Sequence, residues 1–250
     1  MIIDVNAWAG HWSTLPIEGG IAAVRASLKA VGVDRICLSP LDAAWCPNPH
    51  LHNAKVYAAA RQFDDIDPVP VLDPTIPTWR DELADALTQP RVRLVKLLPT
   101  YSPYDLSAAD ELFAAFAQSR LAVIIQTRLD DPRHQHPLAQ VPDLPADAVA
   151  DVAARHPGLT VIVGGPTWTA IRGLRERLLS LPNLYADVSQ ADGMNSLKIF
   201  VAEGLTSKLL FGSHAPLFVP FSALARVVND LNDDDVAAIL GKNAARILGL

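Results

Sequence analysis

Lys208-Leu209-Leu210-Phe211-Gly212-Ser213-His214-Ala215-Pro216 decides how the rest of this 250-residue chain is read. Leu209, Leu210 and Phe211 are an apolar run of strand length, broken off by Gly212 and Pro216. A short buried strand would therefore deliver Ser213 and His214 at its C-terminal end. Upstream, the same arrangement recurs: an apolar run, a polar tip, then a helical period. Strands are expected over residues 2–5, 35–38, 69–72, 93–97, 121–125, 160–163, 184–186 and 209–211. Between the first two, Ile21, Val24, Leu28 and Val31 repeat at helical spacing and Gly32 follows as a stop. Helices are likewise expected over 50–63, 79–87, 108–118, 146–155, 171–181, 194–201, 224–231 and 233–248. The strand runs are continuously apolar, as parallel strands covered on both faces must be. Eight strand–helix units predict one α/β domain over residues 1–250, a single (β/α)8 (TIM) barrel. A doubly wound open sheet is the runner-up, but Val5-Asn6-Ala7-Trp8 is not the glycine-rich turn such a sheet uses.

Composition removes several classes. A net charge of −6 gives no electrostatic footprint for nucleic acid. No apolar run is long enough to span a bilayer. Met1-Ile2-Ile3-Asp4 enters a strand without a basic leader, so a cytoplasmic location is expected. Cys37 and Cys46, the only cysteines, are expected as buried free thiols, and neither belongs to a CxxC zinc motif. Residues 41–49 hold two prolines, directly after Pro40, and read as loop. Residues 129–145, rich in Pro, Asp and His, form an irregular stretch of the length used for lids and binding loops.

Five stretches carry a family resemblance. They are Ile3-Asp4-Val5-Asn6-Ala7-Trp8, Val95-Lys96-Leu97-Leu98-Pro99, Leu184-Tyr185-Ala186-Asp187-Val188-Ser189, Leu210-Phe211-Gly212-Ser213-His214-Ala215-Pro216 and Gly241-Lys242-Asn243-Ala244-Ala245-Arg246-Ile247-Leu248. In this order the chain resembles the amidohydrolase superfamily, in its branch of metal-dependent hydrolases and decarboxylases. The resemblance implies a divalent metal held by a His-x-His pair on strand one and histidines on strands five and six, with an aspartate on strand eight. Those places here read Asn6, Trp8, Gln126, Gly164 and His214. Zinc wants imidazole, thiolate or carboxylate donors, and this set is nearly bare of them. No metal and no other cofactor is therefore expected.

Sites in such barrels lie at the C-terminal strand ends. His214 is the candidate general base, with a structural cap as its bland alternative. Lys96 and Arg128, on neighbouring strands, are candidates to hold a small anionic substrate, or else to pair with Asp130, Asp131 or Asp187. Asn6 and Gln126 would orient a polar group or bond each other across the vacated metal position. Trp8 would plug that space or stack a ligand. Tyr101 could line the mouth, and Arg133 and His136 could reach in from the long loop. Asp4 is expected to brace its neighbours, and His50 to lie at the surface. Three readings follow: a metal-independent hydrolase of a lactone, amide or acyl carboxylate, a barrel without catalysis that binds a ligand or protein, and a conventional metal enzyme. A homo-oligomer is compatible with any of them.

Overall fold

The computed structural model describes residues 1–229 and 231–250. Eight parallel strands alternate with helices: β1 (Ile3–Ala9), β2 (Arg35–Pro40), β3 (Ile66–Pro68), β4 (Leu94–Leu97), β5 (Ala122–Gln126), β6 (Val161–Gly164), β7 (Leu184–Asp187) and β8 (Leu209–Leu210). Ladders join β1 to β2 and β2 to β3, and β4 through β8 in order. The two seams close through a few backbone hydrogen bonds each. Val71 bridges Lys96, with the Lys96 amide donating to Pro70 O and Leu72 to Lys96 O. On the other side the Val5 amide donates to Phe211 O at 3.0 Å. The result is the closed (β/α)8 barrel that the strand runs predict.

The third strand differs from the expected 69–72. Residues 66–72 are all buried, but Pro68 and Pro70 have no N–H and interrupt the ladder. The first half pairs with β2 and the second half meets β4. The remaining helices are α1 (Ile21–Ala30), α2 (Asn53–Gln62), α3 (Trp79–Thr88), α4 (Asp110–Gln118), α5 (Ala146–Arg155), α6 (Trp168–Gly173), α7 (Arg175–Ser180), α8 (Ser196–Ala202), α9 (Pro220–Val228), α10 (Asp233–Ala237) and α11 (Asn243–Leu248). The single sixth and last helices of the sequence reading are each broken, the last by a π-turn over Ala238–Lys242. Residues 41–49 are not all irregular, since Leu41–Trp45 is a 3-10 turn. Cys46 is only half buried, unlike Cys37, and both are free.

The side-chain period of two divides each strand between two environments. One set, including Leu38, Val123 and Val163, packs outward under helices that bring Phe113, Phe116 and Phe200. The other set points into the barrel. Its floor is apolar: Ile3, Val5, Leu94, Ile124, Ile162, Tyr185 and Leu210, with Leu248 of α11 beneath. Two residues further along each strand, the next inward positions are Lys96, Gln126, Gly164, Asp187 and Gly212. Strand β1 joins this layer out of phase, because its register against β2 shifts between Asp4 and Ala7. That irregularity lets Asn6, rather than Ala7, meet the others. Above lies an apolar lid of Trp8, Trp12, Leu41, Val71, Leu98 and Leu129. A polar layer is thus sealed between two apolar ones.

Candidate functional site at the barrel centre

The polar layer is one directed hydrogen-bond chain. The Lys96 amino head donates to Asn6 Oδ1 at 2.6 Å. Asn6 Nδ2 donates to Gln126 Oε1 at 3.2 Å and to Asp187 Oδ2 at 2.8 Å. Gln126 Nε2 donates on to Arg128 O at 2.7 Å. Asp187 is filled by two more donors, the Gly165 amide on Oδ2 and the Ser189 amide on Oδ1, each at 2.8 Å. The Lys96 head also lies 3.5 Å from the centre of the Trp8 ring, a cation–π distance. Lys96, Asn6, Trp8, Asp187 and His214 are each 0% exposed.

Glycines make this chain fit. A Cβ on Gly164 would stand 2.7 Å from Gln126 Oε1, and one on Gly212 would stand 3.1 Å from Asn6 Cβ. The strand-six position that the resemblance assigns to a histidine is therefore space used by the strand-five glutamine.

Two buried braces hold the strand tips. Asp4 accepts from the Ser213 amide and from the Ser213 hydroxyl, and from the Asn6 amide at 3.0 Å. It ties β1 to the end of β8, as the sequence reading expects. Burial pushes its carboxyl up to about 6, against the pull of the Ser213 bonds. His214 sits at φ 58°, a left-handed conformation uncommon for a residue with a side chain. Its amide donates to Asn6 O at 3.0 Å. Its Nε2 donates to Leu129 O at 2.7 Å, which leaves Nδ1 as an acceptor. Nδ1 is buried without a partner, as is Trp8 Nε1, and the two rings meet edge-on at 6.1 Å.

Burial pushes the His214 imidazole down to about 3, so the ring is neutral at neutral pH and a weak base. Burial also pushes Lys96 down, to about 7, while Asp187 and Asp4 pull it up. The Trp8 ring face favours the charged form as well. Lys96, not His214, is the group poised to exchange a proton near neutral pH.

The other candidates do not gather here. The Arg128 guanidinium is engaged by Asp131 at 3.2 Å and Asp143 at 3.8 Å, while the Lys96 head faces Asn6. No two-cation clamp is formed. Arg133 is exposed and pairs with Asp131 at 2.6 Å. His136, also exposed, accepts from the Leu138 amide at 3.1 Å. Tyr101 stands at the mouth, edge-on to Trp12 and Trp45. The loop over 129–145 is clasped down: Asp130 Oδ2 accepts from Trp12 Nε1 at 3.0 Å, and Gln190 Nε2 donates to Arg128 O at 3.0 Å. His50 is not a surface residue. It is buried, and its Nε2 accepts from the Asp73 amide at 2.9 Å. Asp187, the anchor of the chain, could have been found from the period of two, since it stands two places after Tyr185.

The donor set does not fit the divalent ion that the family pattern implies. The layer offers one carboxylate, already saturated by N–H donors, one imidazole committed to a carbonyl, two neutral amides and an amino head. An ammonium at its middle repels a cation. Among the described residues no group of three or more His, Cys, Asp or Glu could hold an ion.

The amidohydrolase family model matches residues 42–250, leaving the altered strand-one motif outside the match. No curated protein matches the chain. Among solved structures, an uncharacterised TIM-barrel protein of Bordetella bronchiseptica is similar at TM-score 0.76 and 18% identity, covering 99% of this chain and 98% of that one. A 2,6-dihydroxybenzoate decarboxylase from Rhizobium is similar at TM-score 0.72 and 15% identity over 99% and 98%. A 5-carboxyvanillate decarboxylase from Sphingomonas paucimobilis is similar at TM-score 0.67 and 14% identity over 90% and 82%. At these identities the likeness is one of fold. The barrel, its closing order of motifs and the family match agree: this chain belongs to the amidohydrolase family.

Proposed function

We propose that this chain is a metal-independent amidohydrolase-fold barrel that binds a small ligand and does not run the family's metal-assisted hydrolysis. One observation carries the reading. The fully buried Lys96 head, 2.6 Å from Asn6 Oδ1 and 3.5 Å over Trp8, stands among the positions where the family keeps its ion. The Lys96 head then does the structural work of the metal, drawing the strand tips together through Asn6, Gln126 and Asp187. It does not supply the metal's chemistry, because it neither coordinates water nor acidifies it. Trp8 and the clasped loop close the centre to a substrate.

A second reading is favoured by two specific observations, the near-neutral pKa of Lys96 and the unpartnered Nδ1 of His214. In it, the 129–145 loop lifts and Lys96 acts as proton-transfer group on a small anionic lactone, amide or acyl carboxylate. Elemental analysis after dialysis against zinc and manganese, joined to turnover assays on a panel of such compounds, tests both. The binder reading expects no stoichiometric ion and no turnover above background. Turnover that Lys96→Met abolishes would replace it with the second reading, and a stoichiometric ion would overturn both.

A further inference from the structure

The sealed centre is not where this barrel is open. A cleft of about 450 Å³ lies over the tips of β2, β3 and β4, lined by Trp45, Cys46, Asp73, Thr75, Tyr101 and Ser102 among others. That volume is within the range of small-molecule sites. Its walls are aromatic: the rings of Trp45 and Tyr101 stand edge to face at 5.1 Å, and Trp45 is 44% exposed.

Its polar side is a carboxylate with unused capacity. Asp73 is 2% exposed. Its Oδ1 accepts from the Thr75 amide at 2.8 Å and the Thr75 hydroxyl at 2.7 Å. Its Oδ2 is buried and accepts from nothing. Two neighbours share the condition. The Tyr104 hydroxyl, whose phenol is pushed up by burial and by Asp73, has no well-formed hydrogen bond, the Leu98 backbone alone pulling it back down. Neither has Nδ1 of His50, whose other ring nitrogen takes the Asp73 amide. Buried polar groups are ordinarily paired, and a cluster that is not marks a place built for a further partner.

Charge selects the partner. None of the lining residues is Lys or Arg. Two further carboxylates, Asp130 and Asp143, act on Tyr101. An anion is disfavoured there. A cation is favoured twice, by Asp73 and by the electron-rich rings that line the cleft.

We propose that this cleft binds a small organic ammonium compound, its charged head on Asp73 and its apolar body against Trp45 and Tyr101. The proposal rests on the ligand-binding reading and names the ligand's class. The test titrates the full chain with 2-phenylethylammonium, tryptammonium and cyclohexylammonium, and with phenylacetate as the anionic control. Tryptophan fluorescence and calorimetry report binding. At least one ammonium compound binds, phenylacetate does not, Asp73→Asn weakens binding about tenfold or more, and Trp45→Ala weakens it several-fold. If Asp73→Asn fails to fold, Trp45→Ala and the phenylacetate control decide alone. Binding of none of the three amines, equal binding of phenylacetate, or affinities unchanged in the folded variants overturns the proposal. Metal content and turnover, measured on the same preparation, report separately on the metal-free reading.

Discussion

Lys96 carries opposing costs that a pH titration can separate. Its amino head is fully buried, and burial pushes its pKa from 10.5 to about 7 against the pull of Asp187 and Asp4. In the unfolded chain the lysine keeps its proton across the whole interval. Between those values the unfolded state binds more protons than the folded one, so stability rises with pH. Below this interval two buried groups act against each other. Asp4, raised to about 6, loses its stabilising contribution as pH rises through that value. His214, lowered to about 3, gains stability as pH climbs from there toward 6.5. Above pH 9 the raised Cys37 thiol begins to oppose Lys96. From neutral to about pH 9 the rise belongs to Lys96 together with the part-buried Lys208, which burial also lowers, and the Lys96 share across it is about 2 kcal/mol. Urea unfolding at steps through that window should show the rise in the wild type and a markedly shallower one in Lys96→Met, where only Lys208 remains. Parallel curves for the two proteins would mean that the buried amine does not titrate there.

At the scale of the element, the strands that the sequence defined well are those with unbroken apolar runs. Residues 121–125 and 160–163 each lie within a residue of β5 and β6. The third strand slipped because two prolines divide one buried run between two partners. The inward layer was also legible in principle. Leu94 and Lys96, Ile124 and Gln126, Tyr185 and Asp187 are pairs two residues apart, and a polar residue two after a core residue faces the same interior. What no local pattern discloses is the irregular register of β1, which swings Asn6 into the layer. The long loop was legible as a loop, and its clasp was not, because Trp12 and Asp130 are distant in sequence. That clasp makes a prediction. Asp130→Ala removes the acceptor for Trp12 Nε1 and Thr14 Oγ1. The variant should lose about 1–3 kcal/mol, and trypsin should cut at the exposed Arg133 several times faster. Digestion at the wild-type rate would show that the loop is held by other contacts.

Over the whole molecule, family pattern and local chemistry part company at one layer. The apolar floor, the helical sheath and the closing helices follow the family's order of motifs, and the match over residues 42–250 reflects them. The polar layer does not. Replacing the ligand histidines would leave a hole and unpaired groups if each change stood alone. Here the changes complement one another: an amide meets an amide, a glycine makes room for a glutamine, and an ammonium faces an indole. The family resemblance implies ligand histidines at positions that here read Asn6, Trp8, Gln126 and Gly164. The sequence could not show that Lys96, ninety residues from Asn6, turns inward to meet it rather than pairing with Arg128 over a substrate.

The most direct measurement is anomalous diffraction at the zinc and manganese edges, from crystals of the full chain grown with each ion in excess. No anomalous peak is expected among Asn6, Gln126, Asp187 and His214, with the Lys96 head in hydrogen-bond contact with Asn6. An ordered ion ligated there, with Lys96 turned away, would contradict the metal-free reading.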